Sequence, residues 1–107
     1  MAYHKRPLVK KTPKTTSWGR VAPWYESAVE REDSYHKTVI LPNLVRLLSV
    51  KKGERLLDLG CGTGFFAEQF SRAGADVIGV DLSKEFVTAA QKRASEERLS
   101  IRYHVAS

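Results

Sequence analysis

The sequence predicts an α/β chain: part of a doubly wound parallel sheet, about three strands with their helices, preceded by an N-terminal helical cap. Three observations predict it. From Arg55 onward, short apolar runs alternate with amphipathic helical stretches. A glycine-rich loop, Gly60-Cys61-Gly62-Thr63-Gly64, joins the first run to the first of those stretches, and an acid, Asp81, ends the second run.

Taken in chain order, residues 1–17 mix Pro7, Pro13, four Lys and several Thr and Ser with few large apolar groups. That is too little apolar surface to offset the entropy of ordering, so they read as a flexible basic arm. Residues 18–52 form the cap. Trp18, Val21, Trp24 and Tyr25 fall within eight residues, and rings of that size have something to cover, either the core itself or a ligand pocket beneath a lid. Ser34 can cap a helix carrying Val39, Ile40, Leu41, Leu44, Val45, Leu47 and Leu48, which Pro42 kinks or divides and Lys51-Lys52-Gly53 ends.

Residues 53–107 form the α/β unit. Arg55–Leu59 (RLLDL) is too short for a helix and reads as a buried parallel strand. Thr63–Ala73 places Phe66, Ala67, Phe70 and Ala73 on one helical face, with Gly74 at the C-terminal cap. Asp76–Val80 is a second strand. Ser83 caps a helix to about Arg98 that buries Phe86, Val87, Ala90 and Ala94 and leaves Lys92, Arg93, Glu96 and Glu97 outside. Ile101, Tyr103 and Val105 alternate in a third strand.

Charge narrows the classes of function. The chain has 107 residues and a net charge of +6, a surplus that would gather polyanions. Lys5, Arg6, Lys10, Lys11, Lys14 and Arg20 carry all of it, and residues 21–107 balance 12 basic against 12 acidic side chains. Nucleic-acid binding is therefore not expected of the α/β unit. A single cysteine, Cys61, points to a reducing, cytoplasmic setting, and no metal-ligand spacing is present. No run approaches the ~20 apolar residues of a membrane span. The basic N-terminus lacks the apolar stretch of a secretory signal; a mitochondrial transit peptide stays open, although the Lys bias and two prolines disfavour its amphipathic helix.

The chemistry is concentrated in Leu56–Gly64, LLDLGCGTG. Alternate glycines permit a tight turn and clear side chains from a surface that a ligand can touch, and the helix N-terminus beside them offers free N–H groups. Asp81 stands 17 residues after Gly64, where an acid can accept from both ribose hydroxyls of a nucleoside. The dinucleotide fingerprint requires glycine where Phe65 stands, so a nicotinamide dinucleotide is excluded in favour of another adenosine ligand.

LLDLGCGTG followed by VIGVDLS resembles motifs I and II of the class I S-adenosylmethionine-dependent methyltransferases, and WGRVAPWYE with VILPNLVRLL resembles the N-terminal cap of their small-molecule branch, the relatives of ubiquinone and menaquinone biosynthesis methyltransferases. The resemblance covers roughly residues 18–107 and implies a Rossmann-like sheet of which this is the N-terminal half. It implies S-adenosyl-L-methionine as cofactor and a small-molecule methyl acceptor. It further implies that Gly60, Cys61 and Gly62 lie against the methionine part, that Gly64 belongs to the same cofactor-binding loop, and that Asp58 helps hold the amino group. Asp81 would bind the ribose, Leu82 would flank the adenine, and Tyr25 would lie on the lid near cofactor or acceptor. Where the family often has an acid for the adenine amino group, this chain has Ala106, which leaves only a backbone contact.

The residues also support this ligand on their own. A cationic sulfonium, an ammonium and a carboxylate suit a site pairing N–H groups with the carboxylates of Asp58 and Asp81, although Asp58 can equally be satisfied by loop N–H groups. Cys61 beside a helix N-terminus has the position of an activated nucleophile but no partner His set by sequence, so it reads as a small side chain in a crowded turn. His36 and His104 read as surface or packing residues, and no catalytic residue is assigned.

In the resemblance the sheet has seven strands, and the later ones carry most of the acceptor site; this chain accounts for three. The expectation is the N-terminal part of a longer enzyme, or a truncated product whose first strand has an open edge and associates through it. Two other readings stand beside the small-molecule methyltransferase: a non-catalytic fragment binding a nucleoside or a partner chain, and the cofactor half of an RNA methyltransferase gripping phosphates with the arm.

Overall fold

The computed structural model describes residues 20–106; the expected basic arm, Trp18 and Ser107 lie outside the described residues. In chain order come α1 (Ala22–Glu30), a π-helical stretch (His36–Ile40) that runs directly into α2 (Leu41–Leu48), β1 (Arg55–Leu59), α3 (Phe65–Arg72), β2 (Asp76–Asp81), α4 (Lys84–Glu96) and β3 (Arg102–Val105). The strands are parallel and ordered β1-β2-β3, with Leu57 opposite Ile78 and Gly79 opposite Tyr103. This is the predicted alternation, with β1 at its predicted bounds.

Local sequence explains the boundaries. Ser83 Oγ accepts from the Phe86 N–H at 3.2 Å and starts α4. α3 is shorter than expected at both ends. It begins at Phe65 because Thr63 and Gly64 remain in the loop, and it stops at Arg72, where Gly74 follows and the Ala75 N–H returns to the Phe70 carbonyl at 3.1 Å. Pro42 acts as its chemistry requires: it has no N–H for the carbonyl four residues back, and the preceding turn widens to the π form rather than breaking. α2 ends at Leu48, before the Lys51-Lys52-Gly53 stop, because Ser49 adopts a left-handed conformation (φ 44°).

Both sheet-connecting helices pack on one face of the sheet. Ala67 and Phe70 of α3, Val87, Ala90 and Ala94 of α4, Val77 of β2 and Tyr103 of β3 form the core. All four apolar residues predicted inside α4 are buried. In α3 the buried face is displaced: Phe65 and Glu68 are buried and Ala73 is exposed. Two further neighbours shift it: the His36 ring packs on Phe65 and Phe66 at centroid distances of 6.2 and 5.7 Å, and the Arg93 guanidinium lies on Glu68.

Two expectations of burial need correction. Successive β-strand side chains alternate faces, and only the helix-bearing face of β1 is covered among the described residues, so Leu57 and Leu59 are 58% and 73% exposed. The apolar side of α2 is likewise open: Val45, Leu47 and Leu48 are exposed and Leu44 alone reaches the core cluster. No helix among the described residues is long and apolar enough to cross a membrane.

Candidate functional site

The turn from β1 to α3 is tied to the C-terminal end of β2. The N–H groups of Gly60 and Cys61 both donate to the Val80 carbonyl, at 2.7 and 3.0 Å, and the Gly62 N–H donates to Asp81 Oδ2 at 2.9 Å. Asp81 Oδ1 accepts from the Ser83 N–H at 2.8 Å, and the Ala106 N–H donates to the Asp81 carbonyl at 3.0 Å. Asp81 is thus the knot joining the glycine loop, the start of α4 and the end of β3. Gly60, Cys61 and Gly62 thus spend their N–H groups on β2. Free ligand-facing capacity rests instead with the second lone pair on each Asp81 oxygen and with α3, which has no side-chain cap at its N-terminus.

The glycines separate into two kinds. A Cβ on Gly60 would meet nothing within 4 Å, so its surface is open to an incoming group. Gly64, by contrast, has φ +90°, and a Cβ there would stand 2.3 Å from Tyr103 Oη; it is glycine so that the Tyr103 ring can pass beneath the loop. The same ring lies against Gly79 of β2.

Asp58 and Asp81 form an acidic pair at the strand ends. Burial, and then the charge of Asp81, push the Asp58 carboxyl up to about 6. Among the described residues neither carboxylate has a cationic partner. Cys61 points inward, its Sγ against Gly79, and burial followed by the charges of Asp58 and Asp81 pushes its thiol up to about 12. That environment leaves it a packing residue.

α1 brings Tyr25 to this loop, 3.7 Å from where a Gly62 Cβ would stand. Its ring packs on Phe86 at 5.6 Å, its Oη lies 3.3 Å from His36 Nε2, and burial followed by the charge of Asp81 raises its pKa. Tyr25, Asp58, the glycine loop, Asp81, Leu82 and Ala106 are therefore brought to one end of the sheet, Leu82 with its side chain 38% exposed. His104 lies on β3, outside these contacts. The Tyr25–His36 pair is not readable from sequence: the two rings stand eleven positions apart, and no motif joins them.

The other feature without a sequence expectation is an ionic cluster. Arg93 is expected on the solvent side of α4, yet its guanidinium turns inward. Its Nε lies 2.8 Å from Oε1 of Glu68, a carboxylate only 1% exposed, and its Nη1 lies 3.1 Å from Glu30 and 3.5 Å from Glu26. Arg72 adds a longer contact to Glu68 at 3.7 Å. The sequence signal is faint: Glu26 and Glu30 are one helical turn apart and share a face.

The α/β unit is similar to known proteins. Residues 56–107 match a family described as a methyltransferase domain. A ubiquinone biosynthesis O-methyltransferase of Nitrobacter winogradskyi is 50% identical over 58 residues, 54% of this chain and 22% of that protein. Among solved structures, a Haemonchus contortus phosphoethanolamine N-methyltransferase, in complex with S-adenosyl-L-methionine, superposes with a TM-score of 0.64 at 28% identity, over 79% of this chain and 21% of the other. A Pyrococcus horikoshii protein superposes at 0.65 with 27% identity, over 85% and 39%. The chain spans about a fifth of the length of the curated relatives it matches. Residues 56–107, just under half of the chain, are thus similar to a methyltransferase domain, and the parallel strand–helix unit has the fold of part of a Rossmann-like sheet.

Proposed function

We propose that this chain binds S-adenosylmethionine across the β1–α3 turn and forms the cofactor-holding part of a methyltransferase acting on a small molecule. The observation that carries the reading is the acidic pair beside an open glycine surface. Asp58 and Asp81 lack a cation among the described residues, burial makes the Asp58 charge costly, and a ligand bearing an ammonium and a sulfonium supplies the missing positive charge. The residues present therefore suit this cofactor. When bound, it supplies an electrophilic methyl group on sulfur.

The chain's own residues have distinct tasks in this reading. Asp58 holds the ligand's ammonium, and Asp81 accepts from the ribose hydroxyls through the lone pairs its loop bonds leave free. Gly60 and Gly62 let the ligand approach the backbone, with Cys61 contributing main chain only and Gly64 shaping the turn. Leu82 flanks the adenine, and the main chain at Ala106 lies near it. Tyr25 covers the loop and limits water. A cleft of about 540 Å³ that includes Tyr25, Trp24, Val29, Tyr35 and His36 has the dimensions of a small-molecule site. Because the chain corresponds to about a fifth of its relatives' length, the remaining acceptor-binding groups are assigned to other parts of such a protein. The lone cysteine suits the reducing cytoplasm. The exposed Leu57 and Leu59 on the edge strand β1 favour association of this strand with another.

Calorimetric titration with S-adenosylhomocysteine tests the reading. Binding is expected, and Asp81→Asn is expected to weaken it at least tenfold; no heat at millimolar ligand would overturn it.

A further inference from the structure

We propose that Arg93 is a positioning residue, which touches no ligand but clamps α1 to the α/β unit and so keeps Tyr25 over the glycine loop. Three elements meet at its guanidinium: α1 through Glu26 and Glu30, α3 through Glu68, and α4, on which Arg93 itself stands. The three carboxylates repel one another, and a planar group with five N–H donors can serve all of them at once. The burial of Glu68 makes that service costly to withdraw.

The apolar hold on α1 is small by comparison. Only Ala22 and Val29 of its nine residues are buried, Trp24 is 68% exposed, and Tyr25 adds ring contacts to Phe86 and His36. Without the guanidinium, α1 would face Glu68 with two like charges. The ion pairs thus decide whether α1 stays docked, and Tyr25 travels with α1. Arg93, Glu26 and Glu30 are 28%, 32% and 31% exposed on their side chains, so the clamp is also partly open to screening by salt.

The ligand-positioning half of this inference rests on the cofactor reading above, whereas the clamp itself does not. The test is hydrogen exchange on the 107-residue chain, with and without S-adenosylhomocysteine, for wild type and the double variant Glu26→Gln/Glu30→Gln. That variant leaves the Arg93–Glu68 pair in place and so avoids stranding a buried charge. The expected result is exchange in residues 22–30 faster by at least about threefold, from the loss of two partly exposed pairs, with α3 and α4 unchanged and the ligand bound at least threefold more weakly. An Arg93→Met change made in the double variant should then add little to α1 exchange, whereas in wild type it should add much. Unchanged exchange in α1, or equal acceleration in α3 and α4, would overturn the clamp. A loosened α1 with undiminished ligand affinity would overturn the positioning role. If wild type binds no ligand, the cofactor reading and the positioning role fall together, while the α1 exchange rates still support or overturn the clamp.

Discussion

Replacing Asp58 by Asn should stabilise the ligand-free protein while weakening its hold on the ligand. In the folded chain the Asp58 carboxyl is pushed up to about 6 from an ordinary 3.8, first by burial and then by Asp81. A folded-state pKa above the unfolded one means that the folded state holds the proton more tightly. Stability therefore falls as pH rises from about 3.8 to about 6, and above that the full cost is present. Two pKa units correspond to about 3 kcal/mol. Asp58 retains some contact with water, so screening brings the expected figure to about 1–2 kcal/mol. The near-isosteric Asn carries no charge and escapes this cost, and among the described residues no hydrogen bond to the Asp58 side chain is lost. Urea unfolding at pH 7.5 should show the variant more stable by that amount, and at pH 4 the difference should nearly vanish. S-adenosylhomocysteine should bind the variant more weakly at pH 7.5, because the ammonium loses its carboxylate. Equal effects on stability at both pH values would refute the electrostatic argument, and unchanged affinity would remove Asp58 from the ligand site.

Two further outcomes follow from the packing under the loop, and a third from the buried thiol. Tyr103 Oη is buried without a hydrogen-bond partner among the described residues, so Tyr103→Phe should raise stability by about 1 kcal/mol in urea unfolding. Gly64→Ala should cost at least about 2 kcal/mol, since it combines φ +90° with a 2.3 Å approach to that oxygen, and the loss should shrink in the Tyr103→Phe background. Cys61, buried and with its thiol pushed up to about 12, should react with an aromatic disulfide reagent at pH 8 at least a hundredfold more slowly in the folded than in the unfolded chain.

Much of the α/β unit is legible in the sequence because its signals are local. Arg55–Leu59 is a strand by length and by its bounding glycine, and the buried positions of α4 follow from spacing alone. The site is legible to the extent that it is contiguous: Gly60–Gly64 and Asp81 are joined by a helix and a short strand. What stays hidden depends on partners distant in sequence. A helical wheel puts Arg93 on the outside of α4 because it has no knowledge of Glu68, 25 residues earlier. The spacing of α2 implies burial, yet burial requires a second surface, which the described residues do not provide.

The sequence by itself determined the strand–helix alternation, the turn at Gly60–Gly64 and the acid at Asp81, because backbone sterics, side-chain period and capping act within a few residues. Only the tertiary structure decided how those pieces are used. It spent the loop's N–H groups on Val80 and Asp81, passed Tyr103 beneath Gly64, paired Tyr25 with His36, and gathered three carboxylates around Arg93. Each of these is a contact between elements, and its energy depends on burial and on neighbouring charge, which no local pattern records.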